Sequence, residues 1–327
     1  MEMEYEKILT GARKIINMLL NVQPEETVLI ITDPKTSIRI GQALYQAAEE
    51  AKADPNLLMI DVTAAAADNP SDLVIAALNA ADAIITPTSR CLFYWTAMIN
   101  ACTKNGARLV TLTECDEKTL CQGAIEADFT KIKPIVDKLE EIFTNGKTIR
   151  FTTPGGTDIT ASIEGRRGFN CCGIAHKPGD MMGASDSEIA IAPIEGTANG
   201  EFVCDASGSV IGIVEEPVHF KIKDGMCVEI SGGRQAEQLK AMLEEVGDPR
   251  CYNLAEIALG MNPCASITGK IIEDEATLGT GHCAIGNSAG LYGDTWAPTH
   301  LDFVQWKPTL YIDDILITKD GELQIQV

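Results

Sequence analysis

The chain has 327 residues, 26 of them basic and 47 acidic, for a formal charge of −21, and 45% of them are hydrophobic. Length alone sets an expectation of about two domains, and a chain of this size buries enough apolar surface to fold without disulfide staples. An acidic balance of this size excludes functions that rest on gripping phosphate backbones or anionic membrane surfaces, so neither nucleic acid nor membrane is an expected partner.

The acidity is spread out. Residues 1–146 carry 13 basic and 21 acidic side chains, and residues 147–327 carry 13 and 26, which describes a solvated surface and not an acidic tail. The start, Met1 to Glu6, is acidic and lacks an apolar stretch, so no leader peptide is expected. No run of about 18 apolar residues is present, so no transmembrane helix is expected either. The eleven cysteines are odd in number and include no C-x-x-C pair, and Cys171 and Cys172 are adjacent. They read as reduced thiols, many of them small buried hydrophobes, of a cytoplasmic protein.

Along the first 120 residues helix and strand patterns alternate. Residues 5–20 place Ile8, Ala12, Ile15, Ile16 and Leu19 at helical spacing. Val28–Thr32 is a continuous apolar run and reads as a buried strand. Residues 38–52 return to helical spacing, and Leu57–Val62 reads as a second buried strand. Ser71 is placed to cap a helix running to about Leu78, with Asn79 as its stop. Strands follow at Ala83–Thr86 and Leu109–Thr113, with a helix over about 93–104 between them. This alternation predicts an α/β domain whose parallel sheet is covered on both faces. No G-x-G-x-x-G and no G-x-x-x-x-G-K-[ST] follows any of the strands. A scaffold or dimerisation role is therefore favoured over nucleotide binding.

A charged helix over 129–145 ends at Asn145-Gly146, and the texture changes after it. Short β-rich runs dominate: Thr148–Thr153, Asp158–Ile163, Glu188–Pro193, Val210–Ile213, His219–Ile222 and Met226–Ile230. One helix, 234–246, interrupts them, with Gln235, Leu239, Met242 and Leu243 in register. The expected organisation is an α/β scaffold domain over 1–146 and a mainly antiparallel, β-rich α+β domain over 147–327.

The chemistry concentrates in the second part. Glu256 sits inside Leu254-Ala255-Glu256-Ile257-Ala258-Leu259, and Glu188 opens the apolar run Ile189-Ala190-Ile191-Ala192. A lone carboxylate in such surroundings is costly to bury and calls for a cation. Two of the four histidines, His282 and His300, fall within 19 residues. His300 and Asp302 are two apart, which in a strand puts both on one face. Taken singly, Glu256 also fits a strand-end carboxylate, and His300 with Asp302 also fits a surface pair. His219 sits in an ordinary strand pattern and reads as structural. Together the carboxylates and imidazoles form the ligand set of a divalent metal site, with Zn, Mn, Co and Fe all suited to it. Glu188, Glu256 and Asp302 bring −3; one divalent ion leaves −1, while two ions and a bridging hydroxide reach zero.

These residues resemble a family. The segment Ser187-Glu188-Ile189 to Asn199-Gly200 is similar to the metallo-aminopeptidases of the aminopeptidase T and S type. So are Ala255-Glu256-Ile257-Ala258-Leu259-Gly260, Gly281-His282-Cys283-Ala284-Ile285-Gly286 and His300-Leu301-Asp302. The resemblance implies two divalent metals held by Glu188, Glu256, His282, His300 and Asp302, with Glu195 a further candidate in the first segment, and a homodimer. The family's catalytic tyrosine, seven residues after the first histidine, is Ala289 here; Tyr292 is three residues further on. A second branch of the same superfamily, the dihydroxypyridine dioxygenases, opens a pyridine ring with one iron. It shares the His-Leu-Asp motif and a similar length. In that branch the position matching Glu256 is a histidine, and the position matching His282 is not a ligand. Ala175-His176-Lys177-Pro178-Gly179-Asp180 stands where those enzymes carry a polar active-site residue, so His176 is either a substrate contact or a loop histidine before a turn.

The leading expectation is a metal-dependent hydrolase of an N-terminal peptide bond or a small amide. The metals would bring the pKa of bound water from 15.7 towards ~7, Glu195 or Glu256 would move the proton, and Tyr292 would stand in for the family tyrosine. Substitution of that tyrosine by Ala289 removes an oxyanion donor, an effect of roughly 10²–10³ in rate. The alternatives are a mononuclear non-haem iron(II) ring-cleaving dioxygenase and a metal-binding protein without catalysis.

Overall fold

The computed structural model describes residues 4–62, 70–93, 95–184 and 186–325. It divides into two compact units, one formed by residues 1–133 with 171–186 and the other by residues 134–170 with 187–327. The change of unit falls inside the helix Phe129–Asn145.

The first unit has a five-stranded parallel sheet in the order 54–59, 27–32, 83–88, 108–113, 181–183. The helical pattern at the start becomes an α-helix, Tyr5–Lys14, and then a wider turn, Ile15–Leu19. All five of its spaced apolar residues are fully buried. Thr27–Thr32 is β-branched and apolar because it is covered on both faces. The second strand lies at Asp54–Met59, three residues earlier than the pattern predicts. Pairing from Thr27↔Asp54 to Thr32↔Met59 sets it there, and as an edge strand it tolerates Pro55. Asp72–Ala80 starts after Ser71 and runs past Asn79. The helix expected over 93–104 is Thr96–Asn105, closed by Gly106 in the left-handed region; Tyr94 lies outside the described residues. Met181–Gly183, which carries no strand signature, joins the sheet by pairing with Leu109–Thr111.

Asp33 follows the first strand, at the place where the strand order reverses and where such sheets bind anionic ligands. Its buried carboxylate accepts N–H groups of Lys35 (2.8 Å), Thr36 (3.1 Å) and Ser89 (2.5 Å), tying the ends of two neighbouring strands together. Burial pushes Asp33 up, but these donors outweigh it and hold the group below its usual range.

The second unit is mainly antiparallel, as the β-rich texture predicts. An eight-stranded sheet has the order 226–231, 218–223, 199–204, 158–162, 148–152, 309–312, 315–319, 322–323. A second sheet runs 212–213, 207–208, 300–306, 280–286, 254–260, 188–191 and ends on residues 169–171. The helix over 234–246 is present as Arg234–Val246. The strand expected at Val210–Ile213 shrinks to Gly212–Ile213, because Gly208 pairs with Gly212 and Val210 sits in the turn between them with φ 61°. Glu188–Ile191 stops two residues short of Pro193, which has no N–H for the ladder. Leu254–Gly260 and Thr280–Gly286 are buried throughout, and His300–Trp306 is buried except at its ends. On one side of this sheet Phe303 meets Phe220, with ring centroids 4.4 Å apart, and Phe220 stacks on Phe202 at 4.3 Å.

Candidate metal centre

Register places the site. Ala284 faces Glu256 on one neighbouring strand and Asp302 on the other, so these three share one side of the sheet. His282, two residues before Ala284, points the same way and lies opposite Ala258. Ala258 in turn lies opposite Ala190, two residues from Glu188. His300 precedes Asp302 by two and lies opposite Gly286. Four adjacent strands thus deliver Glu188, Glu256, His282, His300 and Asp302 to a single face, with alanines and a glycine between them. Gly286 has φ 112°, and a Cβ there would run into the Thr299 carbonyl oxygen, so only glycine fits where this strand turns into the following loop.

Glu256 is the common member. Its Oε2 lies 2.9 Å from His300 Nε2 and its Oε1 3.4 Å from His282 Nε2. His300 Nε2 is also 3.1 Å from Asp302 Oδ1. His282 Nε2 is 3.1 Å from Glu188 Oε2, close enough for ion pairing but off the hydrogen-bond direction. Two groups of donors result, Glu188–Glu256–His282 and Glu256–His300–Asp302, each with ligand atoms within 4.8 Å of one another. Burial, and then the charge of Glu256, push Glu188 above the usual carboxylate range. Burial acts on Glu256 in the same direction, but the two imidazoles outweigh it and hold Glu256 at about 2. Burial alone would lower both histidines; their carboxylate partners instead raise them well above 6.5.

This donor set fits a divalent metal. Oxygen and imidazole nitrogen donors suit first-row divalent ions, and a cation replaces the imidazole protons that now hold the carboxylates together. The Nδ1 atoms of the two histidines differ. That of His300 donates to the Asn287 carbonyl oxygen at 2.7 Å, the outer bond that orients a metal-binding imidazole. That of His282 is buried with no hydrogen-bond partner among the described residues. The site is one for a divalent metal, as one ion or two.

The other residues singled out from the sequence lie elsewhere. Glu195 is taken up by protein donors: Oε2 accepts from Arg166, and Oε1 from Ser288 Oγ (3.2 Å) and the Asp294 amide (2.9 Å). Tyr292 is half-exposed at φ 64°, its ring 5.1 Å from the Arg167 guanidinium and 6.4 Å from the Phe169 ring. His176 belongs to the first unit, is exposed, and has its Nε2 2.8 Å from the Met18 carbonyl oxygen. His219 pairs with Glu201 across two strands at 2.6 Å. Glu275 escapes sequence reasoning. It is buried, and its carboxylate groups with His282 and Asp302. In the run Glu273-Asp274-Glu275 nothing local sets it apart from its neighbours.

Comparison with known proteins separates the two branches. The family model for 2,5-dihydroxypyridine 5,6-dioxygenase (NicX) matches residues 14–325. The 2,5-dihydroxypyridine 5,6-dioxygenase of Pseudomonas putida KT2440 is 22% identical over 338 residues, covering 96% of this chain and 95% of that one. The solved structure of the 2,5-dihydroxypyridine dioxygenase from the same strain has a TM-score of 0.85 at 19% identity, with 99% of each chain covered. AmpT from Thermus thermophilus has a TM-score of 0.70 at 14% identity, over 98% of this chain and 99% of its own. It shares the fold alone. The family match overturns the expectation of an amide hydrolase, and with it the description as an aminopeptidase or metalloprotease. The position of the aminopeptidase tyrosine agrees with this correction, because Ala289 has no proton to offer an oxyanion. The acid–base roles expected of Glu195 or Glu256 and of Tyr292 were those of the hydrolase, the reading that the family match overturns.

Proposed function

The chain belongs to the NicX family of 2,5-dihydroxypyridine 5,6-dioxygenases, and on that premise we propose that it is a cytoplasmic iron(II)-dependent dioxygenase that opens the ring of a small dihydroxylated pyridine. The observation that carries this reading is the extent of the family match, which includes every strand of the donor cluster. In such a reaction both atoms of dioxygen enter the substrate and the bond between ring positions 5 and 6 breaks. The ring itself gives up the four electrons that dioxygen takes, so no external reductant is required. In this reading the first unit is a scaffold and the second carries the chemistry.

His300, Asp302 and Glu256 hold the ion, with His282 and Glu188 beside them on the same face. When bound, the metal supplies a Lewis-acid and redox centre next to the substrate. The chain's own residues set the conditions for that. The bond from His300 Nδ1 to Asn287 keeps Nε2 as the free donor atom. Asp302 and Glu256 offset the positive charge, and the burial of Glu256 keeps bulk water from competing for it. Ala284, between Glu256 and Asp302, adds little bulk beside the donors. Loading the site displaces the Nε2 protons of the imidazoles, so binding strengthens as pH rises.

The test is anaerobic loading with ferrous ion followed by oxygen uptake with 2,5-dihydroxypyridine. One dioxygen consumed per ring opened, with loss of the aromatic ultraviolet band, is expected. Iron-loaded protein that takes up no oxygen with any dihydroxypyridine would refute the reading.

A further inference from the structure

The loop joining the two histidine-bearing strands, residues 287–299, is tied down more heavily than a solvent loop needs. Its ends are pinched by the Asn287 amide donating to the Thr299 carbonyl oxygen at 2.8 Å. Asn287 Nδ2 donates to the Ala297 carbonyl oxygen at 3.2 Å. Leu291 packs on Ala190, Ala192 and Ala258, on the face that carries the donor cluster. Inside the loop Ser288 is fully buried, and its Oγ donates to Glu195 while accepting from the Thr295 amide at 3.2 Å. Glu195 also accepts the Asp294 amide.

Behind Glu195 stands Arg166, itself buried. One of its terminal nitrogens donates to Glu195 Oε2. The other donates to the Tyr292 carbonyl oxygen at 3.2 Å and to Asp294 Oδ2 at 3.0 Å. The pair therefore grips the loop at Ser288, Tyr292 and Asp294, and Ser288 is the immediate neighbour of Asn287. The Asn287 carbonyl is the group that receives the His300 Nδ1 proton. That carbonyl points where the backbone holds it, and the Arg166–Glu195 pair anchors that backbone from the Ser288 side while the Thr299 and Ala297 bonds hold Asn287 itself.

We infer that Arg166 and Glu195 are positioning residues for His300. They fix, through Ser288 and the Asn287 carbonyl, the ring orientation and tautomer with which His300 presents Nε2 to the centre. The inference rests on the metal-binding reading above for its consequence, but not for its geometry. Outer groups that orient a metal-binding imidazole are worth 10–100-fold in metal affinity. The effect falls on His300 alone, because His282 has no bond to this loop among the described residues.

The experiment uses the full chain with Glu195→Gln, and Glu195→Asp as the conservative variant. One readout is calorimetric titration with Mn(II). The other is ¹⁵N-histidine NMR of the metal-free protein, where four histidines give few signals and that of His300 is identified by its loss in His300→Asn. Wild type is expected to show His300 protonated and protected at Nδ1. In Glu195→Gln that protection falls at least several-fold and Mn(II) binds 10–100-fold more weakly, while Glu195→Asp recovers part of both. A folded Glu195→Gln protein with an unchanged His300 signal and Mn(II) affinity within twofold of wild type overturns the inference. A purely structural ion pair would lower the melting temperature without moving either readout. If Glu195→Gln does not fold, Ser288→Ala cuts one link of the same chain and is judged by the same two measurements. If wild type binds no Mn(II), the metal reading is at fault, and the NMR comparison alone still decides whether the pair positions His300.

Discussion

Buried acids in the two units of this molecule have opposite fates. In the first unit Asp33 stands where a parallel sheet offers its binding crevice, and three amide donors of its own chain satisfy it. In the second unit Glu188 and Glu256 are equally buried, but the groups that face them are imidazoles, and the charge of Glu256 adds to what burial does to Glu188. A carboxylate bonded by backbone amides is a finished structural joint. A carboxylate held by titratable partners can exchange those protons for a cation. The comparison teaches that burial of an acid says little about function until its partners are named.

The strongest way to break that comparison is Glu256→Gln. It removes the charge that both histidines share, and loss of one partner from a buried pair costs about 3–5 kcal/mol. Iron(II) or Mn(II) affinity measured by equilibrium dialysis is expected to fall by about 10²–10³-fold. Affinity within threefold of wild type would remove Glu256 from the centre. Asp33→Asn comes next and works on stability. Hydrogen bonds to a charged group are worth about 1.5–3 kcal/mol, so the variant should unfold more readily in urea at pH 7 while binding metal unchanged. Its pH profile has a definite sign. The folded Asp33 titrates below its unfolded value, near 3.9, so its contribution is complete above that value and is lost as pH falls through the depressed one. The gap between wild type and the D33N variant should be constant from neutrality to about pH 5 and close below pH 4. A gap that widens in acid would show that the carboxylate is not the source. The smallest effect is expected from Tyr292→Phe. With the hydrolase set aside, the hydroxyl has no assigned task, and a change at a half-exposed ring should stay within about 0.5 kcal/mol in stability, with turnover altered less than twofold.

Much of the architecture was legible because it follows from periodicity. Continuous apolar runs at 28–32 and 109–113 became buried parallel strands, and the i, i+2 spacing of His300 and Asp302 became a shared face. Carboxylates opening or interrupting apolar runs marked Glu188 and Glu256. What stayed hidden depends on pairing. The offset of the strand Asp54–Met59 comes from a neighbour's register. The turn at Val210 comes from a two-residue hairpin. The use of Glu195 depends on Arg166, 29 residues away. The choice between hydrolysis and oxygenation was illegible for a different reason. Glu256 and His282 match the hydrolase pattern while His300-Leu301-Asp302 is common to both branches, so the donors pointed to hydrolysis and the decision needed likeness along the whole chain.

The face that gathers the five donors also dictates when they can exist during folding. Glu188 and Asp302 are separated by more than a hundred positions in the chain, and they share one face only if the strands between them lie side by side in one register. A slip of one residue in any of the strands would turn its donor to the opposite face. Pairings of such long range form slowly and late. The cluster is therefore a product of sheet closure and cannot seed it, and its five donors stand together only once every strand has reached its proper neighbour.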